Sequence, residues 1–403
     1  MKIPFSPPFI NEAVEQEVLS SLRSGWITTG PKTKALEEAV AAYSNVNNVL
    51  CINSATSAMM LVLHWYGITK GDEVIVPAYT YCATALAAMH VGATVVMVDV
   101  EEDFNISIKN IENAITEKTK AIVPVDFAGW PCNYDAINNL VNEPNIKNKF
   151  IAKGEQQQKL GRILVMSDAA HSFGAVYNNK PTGCLTDITV FSFHAVKNLT
   201  TAEGGAICIN LPAPFDNNEV YKTLRLWSLN GQNKDALSKS QAGGWKYDIV
   251  YPGFKMNMPD VCAAIGLAQI KEYNTLLAER KRVFDYYGEV FAKQNWAWLP
   301  PYSKNNCASS YHLYPLRIKN ISEQQRDAII DAISAAGISV NVHFIPMPML
   351  SVFKNKGYNI QNFPQAYKNY SCEISLPIYP QLSLVQCNYI TDSIIASVNS
   401  VTL

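Results

Sequence analysis

Seven short apolar runs, separated by stretches of helical periodicity, constrain the fold of this 403-residue chain more than any other feature. Most of the runs are continuously apolar, which is typical of strands that helices cover on both faces of a parallel sheet. The last two have no helical stretch between them, so we expect one antiparallel connection there. The runs lie at 49–55, 73–78, 94–100, 121–127, 163–169, 188–193 and 204–209. They predict an α/β fold with a three-layer α/β/α domain around a mainly parallel seven-stranded sheet.

The pattern changes near residue 256, where strand-like runs give way to longer helical stretches. Residues 259–292 are expected to form one long helix that bridges two domains. We therefore predict a large domain over 1–255, which also contains two N-terminal helices, and a smaller α+β domain over 256–403. Residues 141–161 are polar and are expected to be an exposed insertion.

Local signals refine both ends of the chain. Ser322 and Gln325 form a capping box and Gly337 is a helix stop, so a helix should occupy the residues between them. Residues 339–345 are then predicted to be a strand. Near the N-terminus, four apolar residues at helical spacing predict a helix with an apolar stripe. They are Ile10, Val14, Val18 and Leu22.

Composition argues against several classes of function. Lys and Arg total 33 against 34 for Asp and Glu, so neither nucleic acid nor a membrane surface is an expected partner. The nine cysteines form no C-x-x-C pair, which favours a reducing compartment over a metal site or a disulfide framework. The N-terminus lacks the apolar segment of a signal peptide, and no apolar run approaches the roughly 20 residues of a membrane span. We therefore expect a cytoplasmic protein without a bound metal.

Lys197 lies between the last two apolar runs, in the segment FSFHAVKNLTTAEGGAI. One interpretation is an ordinary loop lysine that reaches into water. The other is an amine that forms an imine with a carbonyl cofactor. Its neighbours Phe191, Phe193, Val196 and Leu199 are apolar, and such surroundings lower the pKa of a lysine.

Further candidate residues follow other predicted strands. At CINSATSAMM a helix opens with the hydroxyls of Ser54, Thr56 and Ser57, which suit a phosphate but equally explain plain helix capping. Asp168 ends an apolar strand and is either a helix cap or the counter-ion of a cationic ring nitrogen. His171 could touch the same ring or be a structural histidine.

Tyr81 follows another strand, where an aromatic ring can stack on a flat cofactor or belong to the core. A phosphate site, a stacking ring, an acid for a pyridine nitrogen and an imine-forming lysine thus all follow strand ends of one predicted sheet. Pyridoxal 5′-phosphate needs all four, and no other common cofactor does. The sequence has no Walker signature and no G-x-G-x-x-G after a strand, which argues against nucleotide cofactors.

These motifs resemble those of the DegT/StrS-type sugar aminotransferases, which have the type I fold of aspartate aminotransferase. The similarity runs nearly end to end, with 141–161 as the main exception. The segments that carry it are SGWITTGPKTKALEEAVAAY, SATSAMMLVLHWYGITKGDEVIVPAYTYCATA, SDAAHSFGA, FSFHAVKNLTTAEGGAI, AAIGLAQI, NVHFIPMP and ISLPIYP.

The resemblance implies roles for the residues that surround the cofactor ring. Lys197 forms a Schiff base with the cofactor and moves the proton during transfer. Asp168 pairs with the pyridine nitrogen. Tyr81 takes the stacking position, and His171 lies beside the ring hydroxyl.

The resemblance also implies ligands for the phosphate and the substrate. Relatives are homodimers with shared active sites, in which a partner loop, here GFKMNM, reaches the phosphate. Lys255 stands where many relatives have Asn, and Asn257 where many have Arg. The phosphate ligands of the chain itself are Ala55, Thr56, Ser57 and Ser192. The candidates for the sugar-nucleotide walls, each with a core-packing alternative, are Thr29, His312 and His343.

The implied reaction moves an amino group from L-glutamate to the keto carbon, at C4, of a nucleotide-linked deoxysugar, for amino-sugar and surface-polysaccharide biosynthesis. UDP-2-acetamido-4-keto-2,4,6-trideoxyhexose is the leading candidate for the acceptor. Two alternatives stay open. One is a pyridoxal-phosphate-dependent sugar dehydratase, although such relatives carry His where this chain has Lys197, and the other is a non-catalytic regulator with the same fold.

Overall fold

The computed structural model describes residues 1–234 and 245–402. The strands are β1 (Asn48–Ile52), β2 (Glu73–Pro77), β3 (Thr94–Val98), β4 (Thr119–Ile122), β5 (Leu164–Asp168), β6 (Val176–Tyr177), β7 (Lys180–Pro181), β8 (Ile188–Ser192), β9 (Gly205–Ile209), β10 (Ala297–Trp298), β11 (Ser303–Lys304), β12 (Cys307–Ala308), β13 (Tyr314–Ile318) and β14 (Glu373–Leu376).

The α-helices of the described residues connect these strands and flank them. They are α1 (Glu12–Arg23), α2 (Pro31–Ser44), α3 (Ala55–Trp65), α4 (Ala83–His90), α5 (Ile108–Ala114), α6 (Tyr134–Asn142), α7 (Pro144–Lys149), α8 (Glu155–Leu160), α9 (Asn217–Ser228), α10 (Asp260–Lys271), α11 (Tyr273–Phe291), α12 (Glu323–Ala335), α13 (Ser351–Lys354), α14 (Pro364–Ser371) and α15 (Leu384–Thr402). None of them is long and apolar enough to cross a membrane.

The large sheet has seven strands in the order β1-β9-β8-β5-β4-β2-β3. Strand β9 runs antiparallel to both of its neighbours, and the other pairs are parallel. Side chains of β2 show why the runs are continuously apolar. Val74 and Val76 pack into one buried cluster and Ile75 into another, because alternate residues of a strand point to opposite faces. The predicted α/β/α fold, with its antiparallel connection before β9, is confirmed.

A second buried core lies in the C-terminal part of the chain. Strands β10, β13 and β14 form an antiparallel sheet, against which α12 and α15 contribute residues such as Ile329 and Ile394. Ile3 also belongs to this core, because its backbone bonds to Gly337 and Ser339. The division of the chain at residue 255 stays a prediction.

Two predicted elements differ from the structure. The helix expected over 259–292 is two helices, because Glu272 leaves the helical conformation at φ −108° and ψ 6°. The strand expected over 339–345 is not formed beyond a single bridge from Asn341 to Ser375. The bridge does not continue because the N–H of His343, two residues after Asn341, donates at 3.1 Å to the Glu373 carboxylate and not to a strand partner.

The polar segment 141–161 is mostly exposed, as predicted, but it folds into α7 and α8. It is anchored by Gln157, whose amide donates to the carbonyls of Tyr66 and Gly67. The apolar stripe on α1 is only partly buried. Val14 is enclosed, whereas Leu22 stays about half exposed in the single chain, at 51%. Ile10, predicted to belong to the stripe, lies before the helix, which begins at Glu12 after the cap Asn11, and is 48% exposed.

Candidate active site

A cavity of about 350 Å³ opens where the carboxyl ends of β5 and β8 meet residues from the C-terminal part of the chain. This edge is where α/β sheets place their ligands, because the turns after parallel strands converge there. Turns after β1, β2, β5 and β8 form its walls, together with His312 and His343. Phe5 and Ser6 of the N-terminal segment line it as well.

Lys197 lines the cavity on a loop that is held at several points. Its backbone N–H donates to the His194 carbonyl at 2.9 Å. Next to it, the Asn198 amide donates to the Ser310 carbonyl, and the Thr200 N–H donates to the Gln269 side chain. Burial lowers the pKa of the Lys197 amine to about 8, against the opposing effect of Asp168. The loop that carries the amine is therefore fixed in place, and the amine loses its proton far more readily than an ordinary lysine.

Asp168 lies at the end of β5 and is buried. Burial raises the pKa of its carboxyl. Three groups act in the opposite direction by favouring the anion: the Thr84 hydroxyl at 2.7 Å, the Ala170 N–H at 3.2 Å, and the positive charge of Lys197. The Thr84 hydroxyl donates to Oδ2 and the Ala170 N–H donates to Oδ1. The carboxylate also lines the cavity, where it can accept a further hydrogen bond.

The start of α3 forms an anion cradle at one end of the cavity. Ser54 caps the helix, and Ala55 and Thr56 follow with the N–H groups of a first helical turn. Gly205 lets β9 approach this helix end, because a Cβ there would lie 2.7 Å from the Ala55 nitrogen. Ser192, the strand partner of Gly205, adds its hydroxyl to the same place.

His171 and His312 lie side by side, with ring centroids 4.4 Å apart. The Ala128 N–H donates to Nδ1 of His171, which assigns the proton of the neutral ring to Nε2. Nδ1 of His312 faces Oδ1 of Asn198, which assigns its proton to Nδ1. Burial, assisted by the charge of Lys197, holds the pKa of both rings well below the usual range.

The cavity brings together most of the residues that the sequence singled out. They are Ala55, Thr56, Tyr81, Asp168, His171, Ser192, Lys197, His312 and His343. Tyr81 remains 61% exposed, with its ring 5.9 Å from that of Phe344.

Four predicted site residues do not line the cavity of their own chain. Ser57 instead bonds to Ser54, through its N–H and its hydroxyl. Thr29 donates to the Met258 carbonyl and accepts from the amide of Asn257, both at 2.6 Å. The backbone of the fourth, Lys255, bridges to Leu229.

Sequence reasoning missed Thr84, the hydroxyl donor to Asp168. Its segment, ATALAAMH, is a small-residue helix with no feature that points to a carboxylate. It also missed Glu373 and Ser375, which lie directly behind His343. The apolar pattern of ISLPI could have suggested a strand there, and a strand would have placed both residues beside residue 343.

The sequence matches the DegT/DnrJ/EryC1/StrS aminotransferase family over residues 8–395. The chain belongs to this family. The aminotransferase is 34% identical to the spore coat polysaccharide biosynthesis protein SpsC of Bacillus subtilis, over 94% of this chain and 93% of SpsC.

Solved structures give the same result. Spr1654 from Streptococcus pneumoniae, assigned as a sugar aminotransferase and determined in its PMP form, has a TM-score of 0.95 and 44% identity, covering 99% of this chain and 100% of Spr1654. PseC from Helicobacter pylori, an aminotransferase involved in the biosynthesis of pseudoaminic acid, has a TM-score of 0.83 and 26% identity, covering 99% of this chain and 100% of PseC.

Spr1654 is also known in a PLP form. The chain is a pyridoxal-phosphate-dependent sugar aminotransferase of polysaccharide or sugar biosynthesis, and its predicted cofactor is confirmed. The chemistry of the cavity fits the cofactor. An anion cradle, a buried carboxylate and an amine of lowered pKa surround one space, and within the described residues no cluster suited to a metal ion competes with them.

Proposed function

We propose that this aminotransferase moves an amino group from L-glutamate to C4 of a nucleotide-linked keto-deoxysugar, with UDP-2-acetamido-4-keto-2,4,6-trideoxyhexose as the acceptor, in the cytoplasm. The observation that carries the proposal is the Lys197 amine, with a pKa of about 8, in a cavity that also holds Asp168. Roughly one such amine in ten is neutral at pH 7, far more than for an ordinary lysine.

Bound pyridoxal phosphate supplies a reactive aldehyde and a ring that withdraws electrons from the reacting carbon. The chain supplies the rest. Nζ of Lys197 would hold the cofactor at its aldehyde carbon and would move a proton at the reacting carbon. Asp168 would hold the ring nitrogen as a hydrogen-bond acceptor, and Nε2–H of His171 would hold the ring hydroxyl as a donor. Tyr81 would stack on the ring.

The other proposed roles concern the phosphate and the sugar. On this proposal the phosphate would lie in the anion cradle with Ala55, Thr56 and Ser192. Ser57 would join through its hydroxyl proton, which the bond from Ser54 does not use. His312 and His343 contact the substrate. The cavity walls within the described residues include one lysine and no arginine, which suits a bulky, hydroxyl-rich acceptor better than a second dicarboxylate.

The acceptor proposal is supported by the relatives. SpsC is named for polysaccharide biosynthesis and PseC for that of pseudoaminic acid, an amino sugar. The presence of Lys197 favours transamination over the dehydratase alternative. The test is a panel of nucleotide-linked keto sugars incubated with glutamate, with product nitrogen located by NMR. Turnover of a C3-keto sugar in preference to the C4-keto sugars would refute the C4 assignment, and the Lys197→Ala variant is the inactive control.

We also propose that the enzyme is a homodimer in which Thr29, Lys255 and Asn257 complete the site of the partner subunit. Two observations support this. These residues do not line the cavity of their own chain, and several large apolar side chains are exposed in the single chain, including Trp245 at 72% and Val250 at 56%.

Subunit mixing tests the shared site. Lys197→Ala and Asn257→Ala are each expected to impair activity. In a mixed dimer, one site has both residues intact, so unfolding and refolding the two variants together should restore about a quarter of wild-type activity. A mixture that shows only the sum of the two separate activities would refute the shared site.

A further inference from the structure

His343 is held from behind by a buried acid. Its Nδ1 lies 2.9 Å from the Ser375 hydroxyl, and that hydroxyl lies 2.5 Å from Oε1 of Glu373. The other carboxylate oxygen, Oε2, accepts the backbone N–H of His343 at 3.1 Å. Glu373 and Ser375 are fully enclosed, whereas His343 lines the cavity. The three residues form a chain from the core to the substrate space.

The protonation state of Glu373 decides which group donates in each hydrogen bond between Glu373, Ser375 and His343. When Glu373 is charged, Ser375 donates to Oε1 and must accept from His343, so the ring proton is on Nδ1 and Nε2 is bare. When Glu373 is protonated, its proton lies on Oε1, because Oε2 already accepts an N–H. Ser375 then accepts from Oε1 and donates to Nδ1, which places the ring proton on Nε2.

We propose that Glu373 is a positioning residue that acts through Ser375 to set the tautomer of His343. The ring thereby offers the cavity a hydrogen-bond donor when Glu373 is protonated and an acceptor when Glu373 is charged. The donor form recognises an oxygen of the substrate, either a carboxylate of the amino donor or a hydroxyl of the sugar. This inference rests on the proposed transamination.

Several charged and titratable groups lie near Glu373, Ser375 and His343. Those near Glu373 are Arg317, Arg326, Tyr79 and Cys372, and those near His343 are Lys197, His171 and His312. Neither arginine forms an ion pair with Glu373 in the described part of the chain; Arg326, for example, pairs with Asp327. Burial therefore dominates and raises the pKa of Glu373 to about 8. It also lowers the pKa of His343 to about 3, so the ring stays neutral while Glu373 titrates.

Nitrogen-15 NMR of the cofactor-loaded enzyme tests the tautomer directly, since protonated and bare ring nitrogens differ in chemical shift. The chain has six histidines, so a ¹⁵N-histidine spectrum can be assigned with single His→Gln variants. We expect His343 to carry its proton on Nε2 at pH 6.5 and on Nδ1 at pH 9.5, with a midpoint near pH 8.

Glu373→Gln and Ser375→Ala are the matched variants. In Glu373→Gln the new side-chain amide can present only its NH₂ group to Ser375 while its carbonyl accepts from His343, so the ring should stay in the Nε2–H form at every pH. In Ser375→Ala the ring should no longer follow Glu373. His64 is the internal control, because its ring contacts Tyr251 and lies outside the chain of residues. A tautomer exchange that persists unchanged in Glu373→Gln, or its absence in the wild type, would overturn the proposal.

Half-reaction kinetics identify the substrate oxygen. The donor fraction of His343 falls about tenfold between pH 7 and pH 9 for a pKa of about 8, so the KM of the substrate that it contacts should rise by up to about tenfold. Glu373→Gln should remove this rise while changing kcat little. A rise in the KM of glutamate indicates a carboxylate, and a rise in that of the keto sugar indicates a hydroxyl. The proposal would be refuted if the KM values of glutamate and of the keto sugar had the same pH profile, and if that profile were the same in the wild type and in Glu373→Gln. The NMR result needs no turnover, so an error in the proposed sugar would leave it intact.

Discussion

Thr84→Val removes one hydroxyl from the buried carboxylate at the centre of the site. The Thr84 hydroxyl donates to Oδ2 of Asp168 at 2.7 Å and is 3.1 Å from that of Thr80. Valine keeps the shape of the side chain. A hydrogen bond to a charged group contributes roughly 1.5–3 kcal/mol. Burial already raises the pKa of the Asp168 carboxyl. Loss of the Thr84 donor raises that pKa further and therefore weakens the pairing of Asp168 with a cationic ring.

We therefore expect Thr84→Val to bind pyridoxal phosphate roughly 10- to 100-fold more weakly, with the larger loss at acidic pH. Titration of the apoenzyme with the cofactor, followed by absorbance, measures this. Thr189→Val is the matched control, since within the described residues the buried Thr189 hydroxyl bonds only to neutral oxygens of Thr186 and Thr182. Equal affinities in the two variants, whether both normal or both reduced, would refute the role assigned to Thr84.

Three further predictions follow from the same geometry. Gly205→Ala should weaken cofactor binding, because the new Cβ would meet the Ala55 nitrogen at 2.7 Å, whereas Gly288→Ala, with nothing within 4 Å, should not; equal affinities would contradict this. Glu373 has a pKa of about 8 in the folded enzyme against 4.5 normally, so the wild type loses stability as pH rises from about 4.5 to 8. Thermal unfolding at several pH values should therefore show that Glu373→Gln becomes more stable relative to the wild type across this window, by up to about 5 kcal/mol in the free energy of unfolding. The same dependence of stability on pH in both proteins would contradict this. Lys197→Ala should lose the visible absorbance of the bound cofactor, and an unchanged spectrum would exclude Lys197 as the reacting amine.

The fold was predictable because the strands of the large sheet are buried on both faces. Continuous runs such as that of β5, which is buried at every residue, are typical of strands that are covered on both faces. The break at Glu272 was not predictable from periodicity, since the apolar spacing continues through it. Directly after the break, the Tyr273 hydroxyl donates to the Phe173 carbonyl at 2.6 Å, a tertiary contact that periodicity does not reveal.

The candidate site was predictable where one segment carries both the residue and its setting. Lys197 with its apolar neighbours and the serine- and threonine-rich start of α3 are of this kind. Contacts between distant segments left no local trace. Thr84 reaches Asp168 only because β2, β4 and β5 are neighbours in the sheet, and His312 meets Asn198 across 114 residues.

Asp168 and Glu373 are two carboxylates with similar burial to which we assign different roles. Each carboxylate is enclosed, and each accepts one hydroxyl and one backbone N–H. The charge of Lys197 favours the Asp168 anion, and those of Arg326 and Arg317 favour the Glu373 anion, but burial outweighs the arginines and raises the pKa of Glu373 to about 8. Asp168 is suited to hold a cationic ring, and Glu373 to act as a buried acid whose protonation state sets the tautomer of the histidine in front of it.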